Sequence, residues 1–114
     1  MDQLEITKSP ENSKMTFGLK GRLDTTTAPQ LETEINSLSE GVHNIEFDLK
    51  ELEYISSAGL RVLLMTQKEM KKKARTDIRV FNVSSEVLEI FKITGFDDII
   101  NIEPADETPQ EGET

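Results

Sequence analysis

An alternating apolar stretch, Ile45-Glu46-Phe47-Asp48-Leu49, is followed by a helical pattern running from Leu60 to Ala74. Ile55-Ser56-Ser57-Ala58-Gly59 joins the two. A strand that leads directly into a helix narrows the choice of architecture. The helix serves as a crossover, and the next strand lies parallel to the first. The junction is also chemically specific. Ser56 and Ser57 sit where the helix starts, beside four unpaired backbone N–H groups and the positive end of the helix dipole. That position suits a hydroxyl that caps the helix, and equally a phosphate.

The rest of the chain extends the pattern. Leu4-Glu5-Ile6 and Met15-Thr16-Phe17-Gly18-Leu19 alternate around the turn cluster Ser9-Pro10-Glu11-Asn12-Ser13, which predicts an antiparallel hairpin. Gly21-Arg22-Leu23-Asp24 then leads into a helix near residues 27–40. Thr27 and Gln30 match a capping box, Pro29 fits a first turn, and Gly41 is placed to close the helix. Leu31, Ile35 and Leu38 mark its inward face. In the central helix, near 58–74, Leu60, Leu63, Leu64 and Met70 form the expected buried side, and Lys68, Lys71, Lys72 and Lys73 crowd the last turns. Ile78-Arg79-Val80-Phe81 reads as a strand. Ser84 or Ser85 opens a third helix near 85–94 with Val87, Leu88 and Phe91 inward, Gly95 ends it, and residues 99–102 read as a last strand. The resulting fold class is α/β, a mixed sheet with an opening hairpin followed by parallel strands and three to four helices.

Composition bounds the function. The 114 residues fit one domain with an aliphatic core; Trp and Cys are absent. Without Cys there is no disulfide scaffold, thiolate metal site or Cys nucleophile, and cytoplasmic residence is the expectation. The N-terminal residues lack signal-peptide character, and no apolar run approaches the roughly 18 residues of a membrane span. The net charge is −9, which argues against direct nucleic-acid binding. Residues 1–102 hold 17 acids and 13 bases, and residues 103–114 add five acids and no base. A domain at 1–102 with an acidic, disordered tail at 103–114 follows from that distribution.

Catalytic chemistry is sparse. His43, the one histidine, belongs to the far end of the strand that leads to Ser57, too distant for a Ser-His-Asp arrangement. No carboxylate loop of the calcium-binding type and no phosphate-binding glycine pattern occurs. Asp24 and Asp48 fall near strand ends, where a turn or cap role is expected. Neither an enzyme nor a cofactor is implied.

The chain resembles the STAS domains, and within them the bacterial anti-sigma factor antagonists. Four stretches carry the resemblance: Gly21-Arg22-Leu23-Asp24, Phe47-Asp48-Leu49, Tyr54-Ile55-Ser56-Ser57-Ala58-Gly59-Leu60 and Leu88-Glu89-Ile90-Phe91-Lys92-Ile93-Thr94-Gly95-Phe96. The resemblance implies partner switching. In that family the unmodified domain binds an anti-sigma factor that is itself a Ser/Thr kinase, and a sigma factor is thereby released. Phosphorylation of one hydroxyl ends the interaction, and a PP2C-type phosphatase reverses it. Mapped onto this chain, the phosphorylated residue is Ser57, with Ser56 as the alternative, and the partner-binding residues are Asp24, Ser56, Ser57, Ala58, Gly59 and Leu60. Many members carry Asp where this chain has Ser56, and Ser or Thr where it has Ala58. The competing expectation is a non-switching STAS scaffold or ligand-binding module, in a signalling or lipid-transport complex, in which Ser57 only caps the helix.

Overall fold

Hydrogen bonding in the sheet starts with the hairpin of β1 (Leu4–Glu11) and β2 (Lys14–Leu23), antiparallel from Leu4 opposite Gly21 to Glu11 opposite Lys14. The computed structural model describes residues 4–105. Both strands outrun the segments expected from alternation, and the turn tightens to Asn12-Ser13. Asn12 adopts φ 56°, a left-handed conformation that Asn tolerates.

Three crossovers follow: α1 (Ala28–Asn36) leads to β3 (Asn44–Ile55), α2 (Ser57–Lys73) to β4 (Arg79–Val83), and α3 (Ser85–Thr94) to β5 (Asn101–Pro104). A short 3₁₀ turn at Phe96–Asp98 precedes β5. The strand order is β1-β2-β3-β4-β5, parallel from β2 onward. Each right-handed crossover steps in the same direction, so the helices share one face of the sheet. Burial agrees. Ile45, Phe47 and Leu49 of β3 are buried, while Glu46, Asp48 and Lys50 between them reach solvent. Phe17 of β2 stacks on Phe47 at a centroid distance of 5.6 Å in the middle of the core. On the uncovered face an ionic row crosses the sheet. Lys14 lies 3.7 Å from Glu46, Arg79 lies 3.2 Å from Glu46, and Arg79 holds Glu103 with two 2.9 Å hydrogen bonds.

Several local expectations change. α1 stops at Asn36, short of Gly41, because the polar Ser39-Glu40-Gly41 offers no further apolar turn to bury. The Thr27–Gln30 capping box does not form. The Thr27 hydroxyl donates to the Arg22 carbonyl at 2.8 Å, and the Gln30 amide donates to the Leu4 carbonyl at 2.9 Å. β5 runs to Pro104, so Glu103 and Pro104 belong to the sheet and not to the tail. The Ala105 N–H continues the pairing, donating to the Val83 carbonyl at 2.9 Å. The remainder of the expected tail, residues 106–114, lies outside the described residues.

Candidate functional site at the junction of β3 and α2

β2 and β3 end side by side, with Arg22 opposite Tyr54 and Leu23 opposite Ile55. The chain then turns at Ser56, whose N–H donates to the Leu23 carbonyl at 2.9 Å and whose carbonyl accepts from the Leu60 N–H at 2.9 Å. Ser56 is thus the backbone N-cap of α2, extended at φ −102° and ψ 178°. Its hydroxyl does not cap. Ser56 Oγ is buried and has no hydrogen-bond partner among the described residues. The equivalent junction of β4 and α3 behaves differently: Ser84 Oγ accepts from the Val87 N–H at 3.3 Å. The hydroxyl-capping role expected for the Ser56-Ser57 pair is absent, since neither side chain bonds the first turn of α2.

Ser57 is the first residue of α2 and is exposed. Ala58 is half-buried against the core, and Leu60 is buried. Gly59 is where the helix meets the sheet. A Cβ added there would lie 2.7 Å from Leu23 Cγ and 2.8 Å from Ile55 Cγ1. Only a residue without a side chain lets α2 start this close to the ends of β2 and β3.

Asp24, one residue beyond β2, closes the neighbouring turn. Its Oδ1 accepts from the Thr26 N–H at 3.0 Å and the Thr27 N–H at 3.2 Å, while its own N–H donates to Thr27 Oγ1 at 2.9 Å. The Thr27 N–H bond is the main reason that the Asp24 carboxyl titrates below its usual range, with Thr26, the Thr27 side chain and Arg22 assisting against desolvation. The Arg22 guanidinium lies 4.4 Å over the Tyr54 ring and 3.7 Å from Asp24 Oδ2. The fold therefore brings Asp24 and residues 56–60 to one end of the sheet.

His43 immediately precedes β3, whereas Ser57 follows its far end. The strand is 12 residues long, about twice the length read from the alternation, so the two stand roughly 35–40 Å apart. Asp48 lies on the uncovered sheet face, where it bonds the Lys50 N–H and the Asn82 amide. No cluster of three or more metal-ligating side chains occurs among the described residues. The junction therefore presents the exposed Ser57 hydroxyl at the N-terminus of α2, where unpaired backbone N–H groups and the helix dipole favour negative charge.

Two features escaped the sequence pattern. Leu64, expected to be buried, stands half-exposed outside the core cluster, and Val62 is buried instead. The 3.6-residue period alone left both on the border of the apolar arc. A cavity of about 310 Å³ also opens between α1 and α2, at the end of α2 away from Ser57, with Ile35, Val62, Met65 and Met70 in its lining beside the charged Glu32, Glu69 and Lys73.

Residues 3–108 match the family model of the STAS domain. The anti-sigma-B factor antagonist of Bacillus subtilis is 33% identical over 95 residues, covering 83% of this chain and 85% of the relative. Among solved structures, an anti-sigma factor antagonist from Mycobacterium paratuberculosis superposes with a TM-score of 0.79 at 23% identity, over 90% of this chain and 87% of the other. The unphosphorylated anti-sigma factor antagonist SpoIIAA gives 0.74 at 19% identity, over 86% and 87%. The phosphorylated form of this Bacillus cell fate determinant gives 0.68 at 17% identity, over 86% and 90%.

Proposed function

The chain belongs to the STAS domain family and groups with its anti-sigma factor antagonists, and on that premise we propose that it works by partner switching at Ser57. In the unmodified state the surface formed by Asp24, Ser56, Ser57, Ala58, Gly59 and Leu60 binds an anti-sigma factor, which is also the kinase. Phosphate transferred to Ser57 ends the binding, and a PP2C-type phosphatase restores it. The chain is a substrate and a binding module, not an enzyme. No helix of the described residues is long and apolar enough to cross a membrane.

The observation that carries this reading is the state of the two hydroxyls. Ser57 is exposed at the first position of α2, whereas Ser56 Oγ is enclosed. A kinase must seat its acceptor oxygen in line with the γ-phosphate, which an exposed hydroxyl allows and an enclosed one resists. The helix N-terminus favours the added anion by about 0.3–1 kcal/mol. The same phosphate brings a charge of roughly −1.5 to −2 into a contact surface shaped for a hydroxyl, where desolvation with no matching cation offered by the partner opposes binding.

The test is phosphate incorporation from ATP by the anti-sigma kinase into wild type, Ser56→Ala and Ser57→Ala, read by intact mass, with partner affinity measured in parallel. Ser57→Ala is expected to bind and stay unmodified, and Ser57→Asp to bind at least tenfold more weakly. Phosphate retained by Ser57→Ala and lost by Ser56→Ala moves the acceptor by one residue. Indifference of both variants leaves the scaffold or ligand-binding reading, for which the cavity between α1 and α2 is one candidate site.

A further inference from the structure

α2 has an exposed face of unusual composition for an acidic protein. Ser57, Arg61, Leu64, Met65, Lys68 and Lys72 recur at spacings of three and four residues and therefore line one stripe of the helix. The opposite face carries the buried Gly59, Leu60, Val62, Leu63, Thr66, Gln67 and Met70. Met65, at the rim of the cavity between α1 and α2, is 55% exposed, and its neighbour Leu64 stands outside the core cluster. Arg61, Lys68 and Lys72 enter no ion pair among the described residues, whereas Lys71 on the same helix is engaged by Asp77 at 3.2 Å. An apolar pair framed by free cations is the arrangement of a contact centre with a charged rim. The stripe begins at Ser57 and runs about 22 Å along the helix.

We infer that this stripe is a docking surface for the anti-sigma partner, and that the partner meets it with a complementary surface: an apolar patch for Leu64 and Met65, flanked by carboxylates for Arg61, Lys68 and Lys72. The inference rests on the partner-switching reading of Ser57 and says how far the interface extends. Two observations select this occupant. The stripe is continuous with the switch residue, so a partner that covers Ser57 and follows the helix reaches Arg61 one turn later and Leu64 about two turns later. A symmetric pairing of two copies through this face would set Arg61, Lys68 and Lys72 against their own counterparts, like charge on like, which disfavours a second copy seated stripe to stripe. The acidic residues of 106–114 could supply carboxylates, but that segment holds no apolar residue to cover Leu64 and Met65. The stripe also gives the phosphate a second effect. A dianion at Ser57 cancels cationic charge at the head of the stripe and repels the approaching carboxylates.

The experiment is calorimetric titration of the full chain with the purified anti-sigma kinase that captures unmodified wild type, at about 50 and 300 mM salt. The variants are Arg61→Glu, Lys68→Glu and Met65→Asp, all at exposed positions, with Lys20→Glu on the uncovered sheet face as the control. The stripe variants are expected to weaken binding at least tenfold, and the two charge reversals to flatten its salt dependence. Lys20→Glu is expected to stay within twofold of wild type. Stripe variants within twofold of wild type, alongside a Ser57→Asp that no longer binds, overturn the inference and leave the switch reading standing. If unmodified wild type binds no anti-sigma kinase, both fall. A tenfold gain in affinity on deletion of residues 106–114 makes that segment the occupant and overturns the inference as well.

Discussion

Leu23 and Ser56 are joined by a 2.9 Å hydrogen bond from the Ser56 N–H to the Leu23 carbonyl, and this bond fixes where α2 begins relative to the end of β2. Leu23 also lies against Gly59, so the same residue sets the start of the helix and the depth at which it sits.

Gly59→Ala is the sharpest test of that packing. The added methyl group would meet Leu23 Cγ at 2.7 Å and Ile55 Cγ1 at 2.8 Å, both on fully buried side chains. Overpacking of this kind costs about 1–3 kcal/mol, more than the helix propensity that Ala gains over Gly. The melting temperature is expected to fall by roughly 5 °C or more in a thermal scan. Gly18→Ala, whose closest obstacle is the movable hydroxyl of Thr7, is expected to cost less.

The two junction serines should separate in a denaturant series. Ser84→Ala removes a bond to the Val87 N–H and is expected to cost about 0.5–2 kcal/mol. Ser56→Ala removes a buried hydroxyl that has no partner, so its stability in urea is expected within about 0.5 kcal/mol of wild type or above it.

Acid should weaken the fold through three carboxylates. Hydrogen bonds lower the titration of Asp24, chiefly from the Thr27 N–H, of Asp77, chiefly from the Gln67 amide, and of Glu103, chiefly from the Arg79 guanidinium. A carboxyl lowered in the folded state contributes stability above its unfolded value, near pH 4, and loses it as pH falls through the folded value. The urea midpoint is therefore expected to drop on going from pH 7 to below pH 4. Glu103→Gln should show a shallower drop than wild type over the same range.

Phosphoserine at 57 should pair with Arg61, one helical turn away. Pairing at i, i+4 with a guanidinium favours the dianion and lowers the second pKa of the phosphate below its usual value of about 6. A ³¹P titration reads this directly, and Arg61→Ala is expected to move the midpoint back up.

The topology was legible because strand and helix periods alternate along the chain without a break. Asp24 was legible only as lying near a strand end, and its grouping with Ser57 and Gly59 came from the resemblance; the structure joins them because parallel β2 and β3 bring their C-terminal ends together. Lengths were less legible. β3 continues past Leu49 through Lys50-Glu51, where the pairing with β2 shifts register, and a shift of that kind interrupts the period of two on which the reading depends. The hydroxyl partners were hidden too. Ser56 and Ser84 look alike in sequence, and only backbone placement leaves one hydroxyl bonded and the other alone. Leu64 lay at the border of the apolar arc, where one residue of helix phase decides burial.

The tight seating of Gly59 has a consequence for how long a signal written at Ser57 lasts. The start of the helix sits directly on Leu23 and Ile55, so a shift of its first turn toward the sheet would meet side chains already in contact. Under the partner-switching proposal the lifetime of a mark on its first residue is that of the phosphate ester bond, set by whatever enzyme hydrolyses it, and the memory of the switch resides in a covalent bond.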